Sequence, residues 1–281
     1  MDELNAGGFA AALGARRAAP SPSGSASAKL SVRQALRTRW PEYLIEAWAL
    51  GIFMLSASVV TTLLEYPGAA LHGVIDARWR LALIGLAMGS TAVALIYSPW
   101  GRRSGAHMNP SVTLAFLTLG RISVVDAVFY MLAQFVGGLL GVLVSWGLLG
   151  KPFALPPVSF IATVPGSAGM GVAFLAEAGI SLLLMLAILE VSNHRRWSPY
   201  SGLVAGCLIA CYVFFESPLS GMSMNPARSL ASAWPGGIWT GLGIYFTAPC
   251  LGMWLAARIF HTLTPWATRL HHSAKIVHTP E

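Results

Sequence analysis

Gly105-Ala106-His107-Met108-Asn109-Pro110-Ser111 and Gly221-Met222-Ser223-Met224-Asn225-Pro226-Ala227-Arg228 are the stretches on which the fold turns. Each carries Asn followed by Pro ahead of an apolar run. Asn is a favoured helix N-cap. Pro suits the first helical position, because its missing N–H would have no intrahelical partner anyway. The runs end near Leu119 and Trp234, so each helix has about ten residues and a length of about 15 Å. That is about half of a hydrocarbon layer.

On both sides of these short helices lie runs that do cross. Six stretches, near residues 43–64, 79–97, 124–149, 170–191, 200–217 and 236–260, reach the length of about 20 residues that a spanning helix needs. They read as helices, since each isolated span must satisfy its own backbone N–H groups. One half-length helix falls between the second and third spans, the other between the fifth and sixth. Three spans, an odd number, separate them, so they lie on opposite faces. Each dips in and returns, so the Asn-capped ends meet near the midplane. Irregular backbone at that depth is tolerated only where it packs in protein or lines a cavity. A pore follows.

The two halves repeat. Gly105, Met108, Asn109, Pro110, Leu114 and Ala115 match Gly221, Met224, Asn225, Pro226, Leu230 and Ala231 in order. Glu46-Ala47 in the first span matches Glu177-Ala178 in the fourth, and Tyr130 and Ala133 match Tyr245 and Ala248. Gly85/Gly89 and Gly202/Gly206 place small residues four apart, where helices approach closely. The fold class is therefore an all-α membrane protein: six transmembrane helices plus two re-entrant half-helices in an inverted 3+3 repeat.

Composition agrees. Of 281 residues 55% are hydrophobic and 10% charged, against about a quarter charged in a soluble domain. The net charge of +7 lies outside the apolar runs, where headgroups meet it, so no nucleic-acid partner is expected. If the amino terminus is inside, the inner segments hold Arg16, Arg17, Lys29, Arg33, Arg37, Arg39, Arg102, Arg103, Arg121, Arg195, Arg196, Arg258, Arg269 and Lys275. The outer segments hold Arg78, Arg80, Lys151 and Arg228. This bias puts both termini in the cytoplasm. Residues 1–40 read as a disordered basic tail, 41–262 as the channel domain and 263–281 as a second cytoplasmic tail. No cleavable signal is expected, which favours a plasma membrane or bacterial inner membrane. Cys207, Cys211 and Cys250 sit in apolar runs and read as small hydrophobes. No metal set, cofactor motif or nucleophile–base pair converges, so neither a cofactor nor an enzyme is expected.

His107-Met108-Asn109-Pro110-Ser111, Ser223-Met224-Asn225-Pro226-Ala227-Arg228-Ser229 and the paired acids resemble the aquaporin and glycerol-facilitator family over roughly residues 42–260. Two Asn-Pro pairs at equivalent repeat positions, with Arg three residues after the second Asn, form a specific signature. Ser111 departs from the Ala usual there. The resemblance implies a homotetramer with one pore per subunit.

The pore chemistry follows from the half-helices. Each brings about half a positive charge to the centre. The amides of Asn109 and Asn225 donate to a passing oxygen, which turns the hydrogens of a water outward and stops proton relay. Pro110, Ser111, Pro226 and Ala227 complete the expected constriction. Backbone carbonyls of Gly105, Ala106, His107 and Met108, and of Gly221, Ser223 and Met224, supply acceptors along an apolar wall. Arg228 at membrane depth costs about 2.5–3.5 kcal/mol or more, and the resemblance makes it the outer filter. It also makes Glu46 and Glu177 structural acids that hold the re-entrant backbone. Counting back from Asn225 places the filter position usually held by His on Val213, and a further one on Met222. The second-span position is Met88, with Ile84 as the alternative, because residues 98–103 carry an insertion.

Losing that His widens the filter, so the expectation is passage of water with glycerol, urea or neutral metalloid acids, excluding protons and ions. Ser229, Ala233 and Tyr245-Phe246 look water-channel-like. The mixture resembles a broad-filter plant and bacterial subgroup. A strictly water-selective pore is one alternative and a coupled secondary transporter another.

Overall fold

The computed structural model describes residues 31–264. Six helices are long and apolar enough to span a membrane: α1 (Val32–Glu65), α2 (Ala77–Tyr97), α5 (Val124–Leu149), α7 (Met170–Asn193), α8 (Ser201–Phe215, which with the 3-10 turn Ser198–Tyr200 ahead of it makes the span Ser198–Phe215) and α11 (Leu242–Leu263). Between them lie α3 (Pro99–Ser104), α4 (Pro110–Thr118), α6 (Lys151–Ala154), α9 (Ser217–Ser220) and α10 (Pro226–Gly236). Helix α4 is the first half-helix and α10 the second. Leu44, Leu86, Val136, Leu175 and Leu183 are all more than half exposed. That outward apolar surface belongs against lipid rather than water.

Side-chain caps start the helices at the sequence positions that call for them. Ser31, Asp76, Ser98, Asn109, Ser123 and Asn225 each accept from a backbone N–H of the turn they open. The halves pack alike, α1 against α5 and α7 against α11, while α2 and α8 cross between them. Glycine sets these distances. A Cβ on Gly137 would lie 2.0 Å from the Ala47 carbonyl oxygen, and one on Gly252 2.3 Å from that of Ala178. Gly89 meets the Gly206 carbonyl at 2.3 Å in the same sense. The small-residue pairs on the second and fifth spans are thus the crossing point.

The element boundaries move in two places. Helix α1 starts at Val32, inside the stretch expected to be tail, and runs straight through Pro41. Pro41 removes one N–H, but the carbonyl it strands is that of Arg37, near the helix end where water can reach it. Of the expected tails, residues 32–40 are therefore helical, and residues 1–30 and 265–281 lie outside the described residues. Helix α11 starts at Leu242, not 236, because α10 runs on to Gly236 and left-handed Gly237 and Gly241 then turn the chain. The insertion at 98–103 is the short helix α3, the counterpart of α9 in the second half.

Outside the pore, Arg80 ties the connection between α1 and α2. It pairs with both carboxylate oxygens of Glu65 at 3.2 Å and donates to the His72 and Ile75 carbonyls.

Candidate functional site

Two buried carboxylates build the site from behind. Glu46 on α1 accepts from the Ser104 hydroxyl (2.7 Å), the His107 and Met108 N–H groups (3.0 and 2.7 Å) and Gln134 (2.8 Å). Glu177 on α7 accepts from the Ser220 hydroxyl (2.7 Å) and the Ser223 and Met224 N–H groups (2.6 and 2.7 Å). Both side chains are fully buried. A buried carboxylate is tolerable only when such donors surround it. Tyr130 and Tyr245 repeat the pattern, donating to the Ser104 and Ser220 carbonyls.

Held this way, the loops ahead of the half-helices take a strained course. Gly105 and Gly221 are left-handed, and Ala106, Met108, Met222 and Met224 also have positive φ. Side chains other than glycine rarely adopt that region, so the acids pin a backbone that would otherwise relax. The course leads 105–108 and 221–224 along one cavity wall.

The half-helices meet tip to tip. Asn109 caps α4 through its Oδ1, which accepts from Ser111 N–H, and its Nδ2 donates to the Met224 carbonyl at 2.7 Å. Asn225 caps α10 by accepting from Ala227 and Arg228, and its Nδ2 donates to the Met108 carbonyl at 2.8 Å. An amide has two N–H donors. One from each Asn is committed to the opposite half, leaving the other for the cavity.

That cavity, of about 380 Å³, runs from Glu65 and Ser217 at one end to Ile96, Ile188 and Ser201 at the other. Its α2 wall extends from Leu81 to Ile96, about 22 Å at 1.5 Å per residue. Asn109 and Asn225 sit in the wall with Met88, Ile84, Val213, Met222 and Arg228. Both second-span alternatives line it. Helical side chains lean toward their own N-terminus, which tips Met88 toward the level of Val213 and Ile84 toward the mouth. Arg228 lies on the first turn of α10 and its Nη1 is buried without a partner.

Four residues expected at the constriction are not in the cavity wall. Pro110, Ser111, Pro226 and Ala227 are buried behind it. The first two helical positions face the packing against α11 and α5, and the Ser111 hydroxyl lies 3.3 Å from the Cys250 sulfur. His107 is stacked on Phe116 with its Nδ1 at 3.1 Å from the Thr113 hydroxyl.

Ser104 and Ser220 are the site residues the sequence reading passed over. Each immediately precedes a matched glycine, so extending the repeat by one position would have found them. Gln134 and Thr113, which brace Glu46 and His107, lack a counterpart signal. The second half uses a different brace, in which Ser223, Ser229 and Thr163 are joined hydroxyl to hydroxyl.

Comparison with known proteins agrees with this geometry. The family model of the major intrinsic protein matches residues 33–260. "Aquaporin NIP2-2" of Zea mays is 32% identical over 215 residues, covering 75% of this chain and 71% of that protein. "Glycerol uptake facilitator protein-like 6" of Lactiplantibacillus plantarum is 34% identical over 205 residues, covering 70% and 91%. The X-ray structure of the aquaglyceroporin from Plasmodium falciparum superposes with a TM-score of 0.69 at 20% identity, covering 82% of this chain and 99% of that one. With its inverted halves, paired Asn caps and a match over residues 33–260, this chain belongs to the major intrinsic protein family.

Proposed function

We propose that the chain is a passive channel for water and small uncharged solutes such as glycerol, urea or neutral metalloid acids, and that it excludes protons and ions. The observation that carries this reading is the unpartnered Arg228 Nη1 on a cavity wall whose other filter positions, Met88, Val213 and Met222, are apolar. A neutral hydroxylated solute can accept from Arg228 while its carbon backbone slides over the thioethers and valine. Ions find no replacement for their hydration shell on such a wall. The free N–H of each Asn, with the positive ends of α4 and α10, then orients the oxygen at the centre and opposes cations.

Glu46 and Glu177 act as scaffold, because their oxygens are occupied by loop donors and neither lines the cavity. A coupled transporter would need a titratable group in the wall beside the central Asn residues. The wall acid is Glu65 at the mouth, paired with Arg80, and the titratable wall residue near the Asn pair, His107, is engaged by the Thr113 hydroxyl and stacked on Phe116. The basic bias of the connections supports cytoplasmic termini, and family membership supports a homotetramer in a plasma or inner membrane.

The test is stopped-flow light scattering of liposomes holding the protein, under sucrose and then glycerol gradients. Fast shrinkage in sucrose with fast re-swelling in glycerol is expected. Fast shrinkage without re-swelling would establish a water-selective pore and remove Val213 and Met222 as the widened filter.

A further inference from the structure

Helix α1 has 34 residues, about 51 Å at 1.5 Å per residue, against a hydrocarbon core of about 30 Å. The excess stands at the amino-terminal end, and it is not loose. Asp126 on α5 accepts from Arg39, Tyr43 and Ser123 together, and Ala35 is fully buried. A rigid first turn therefore passes through the headgroup layer of the leaflet where α1 begins.

One face of this extension is unlike the rest. At 100° per residue, Arg33, Arg37, Trp40, Leu44 and Trp48 fall within about 80° of arc. Ala35, Glu42 and Glu46 fall on the opposite side and are buried. Arg33 and Arg37 are exposed, and neither has a hydrogen-bond or ion-pair partner among the described residues. Trp40 is 53% and Leu44 59% exposed. Further along, Trp48 meets Trp100 edge to face at 4.7 Å. The order along the helix is thus cation, cation, aromatic, aliphatic, aromatic over about 22 Å. That is the order of a phospholipid lying against a helix, headgroup first and acyl chain after.

We infer that this stripe is a binding site for an anionic phospholipid, its phosphate between Arg33 and Arg37 and its acyl chain along Trp40, Leu44 and Trp48. Guanidinium is suited to phosphate through paired N–H donors, and basic residues at a bilayer surface favour anionic lipid. Charge argues against a second copy as the occupant. Of the acids at this end, Glu42, Glu46 and Asp126 are buried, which leaves Glu190 as the exposed one among the described residues.

Thermal unfolding of the full chain in detergent tests this, with phosphatidylglycerol or phosphatidylcholine added back. Phosphatidylglycerol should raise Tm by several degrees more than phosphatidylcholine, with the margin shrinking in high salt. R33Q/R37Q should lose the margin and R33K/R37K keep part of it, while W40A/L44A should weaken the response to both lipids. Both arginines are exposed, so these variants fold, and water permeability in phosphatidylcholine vesicles should stay unchanged. An equal rise from phosphatidylcholine, an undiminished margin in R33Q/R37Q, or the same rise from inorganic phosphate would overturn the proposal. A loss of oligomer mass in R33Q/R37Q with the lipid margin intact would make the stripe a contact between copies instead.

Discussion

The side-chain amide of Asn109 donates to the carbonyl of Met224 across 2.7 Å, joining residues that stand 115 positions apart in the chain. The reciprocal bond from Asn225 to Met108 closes the pair. Each Asn thus ends its own loop, caps its own half-helix and ties down the opposite loop. Asn109→Ala removes the cap to Ser111 N–H, at about 1 kcal/mol, and the bridge to Met224, at about 1 kcal/mol more. The expected outcome is a lower Tm in detergent and a fall in water permeability. N109D should also lose the bridge, because a carboxylate has no N–H to give.

Glu46→Gln keeps the shape of the side chain but turns an NH₂ toward groups that are themselves donors. Met108 N–H and Gln134 lose their acceptor, or the Ser104 hydroxyl and His107 N–H do. Leaving buried donors unpaired costs about 1–3 kcal/mol. Scanning fluorimetry should show the loss, and E177Q should show it too. Flux in wild-type liposomes should be indifferent to an imposed proton gradient. A gradient effect that E46Q abolishes would make the chain a coupled transporter.

Glu216 gives a pH dependence outside the spans. It follows α8 at its C-cap, is 6% exposed, and neither carboxylate oxygen has a hydrogen-bond partner. Burial, aided by the neighbouring charge of Glu177, pushes its pKa up to about 7 from 4.5. The folded state then holds a proton that the unfolded state gives up between these values. Stability is full below pH 4.5, falls as pH rises toward 7 and is level above it. The loss is on the order of 3 kcal/mol. Tm measured from pH 4.5 to 8 should fall through this window in wild type and stay flat over it in E216Q.

Val213→His puts a polar ring into the cavity wall that Arg228 also lines. Glycerol permeability should drop by about tenfold or more, which corresponds to about 1.4 kcal/mol of added barrier. Water permeability should change far less. Equal losses for both solutes would mean that Val213 is not a filter position.

Gly137→Ala places a Cβ 2.0 Å from the Ala47 carbonyl oxygen, where backbone cannot yield cheaply. Helices α1 and α5 must separate, and Glu46 moves with α1. Folded yield after solubilisation should fall sharply, whereas Gly147→Ala, with nothing within 4 Å, should be silent.

Much of this architecture is legible in the sequence because its strongest signals are local. Asn followed by Pro ahead of an apolar run favours a helix start, and an apolar helix of about ten residues between spans is too short to cross. The misread residues depend on contacts that local rules do not see. The tail is expected to reach residue 40, but the clamp of Arg39 and Tyr43 on Asp126 holds that stretch in the helix, which runs on through Pro41. Ser111 and Ala227 read as pore residues because they adjoin Asn-Pro, whereas the first turn of each half-helix points them into the bundle. Phe53, Ala57 and Thr61 face the cavity from α1 without any mark in the pattern, since an apolar span looks the same on its pore and lipid sides.

The reciprocal Asn ties also bear on how such a chain could be assembled. Each repeat is incomplete at its centre, since the carbonyl at the tip of its loop waits for an amide from the other. Cut between α6 and α7, the chain would give two pieces that complete each other only by entering the bilayer upside down relative to one another. Joining them in one polypeptide fixes their stoichiometry at one to one and leaves insertion, rather than encounter, to decide which way each piece faces.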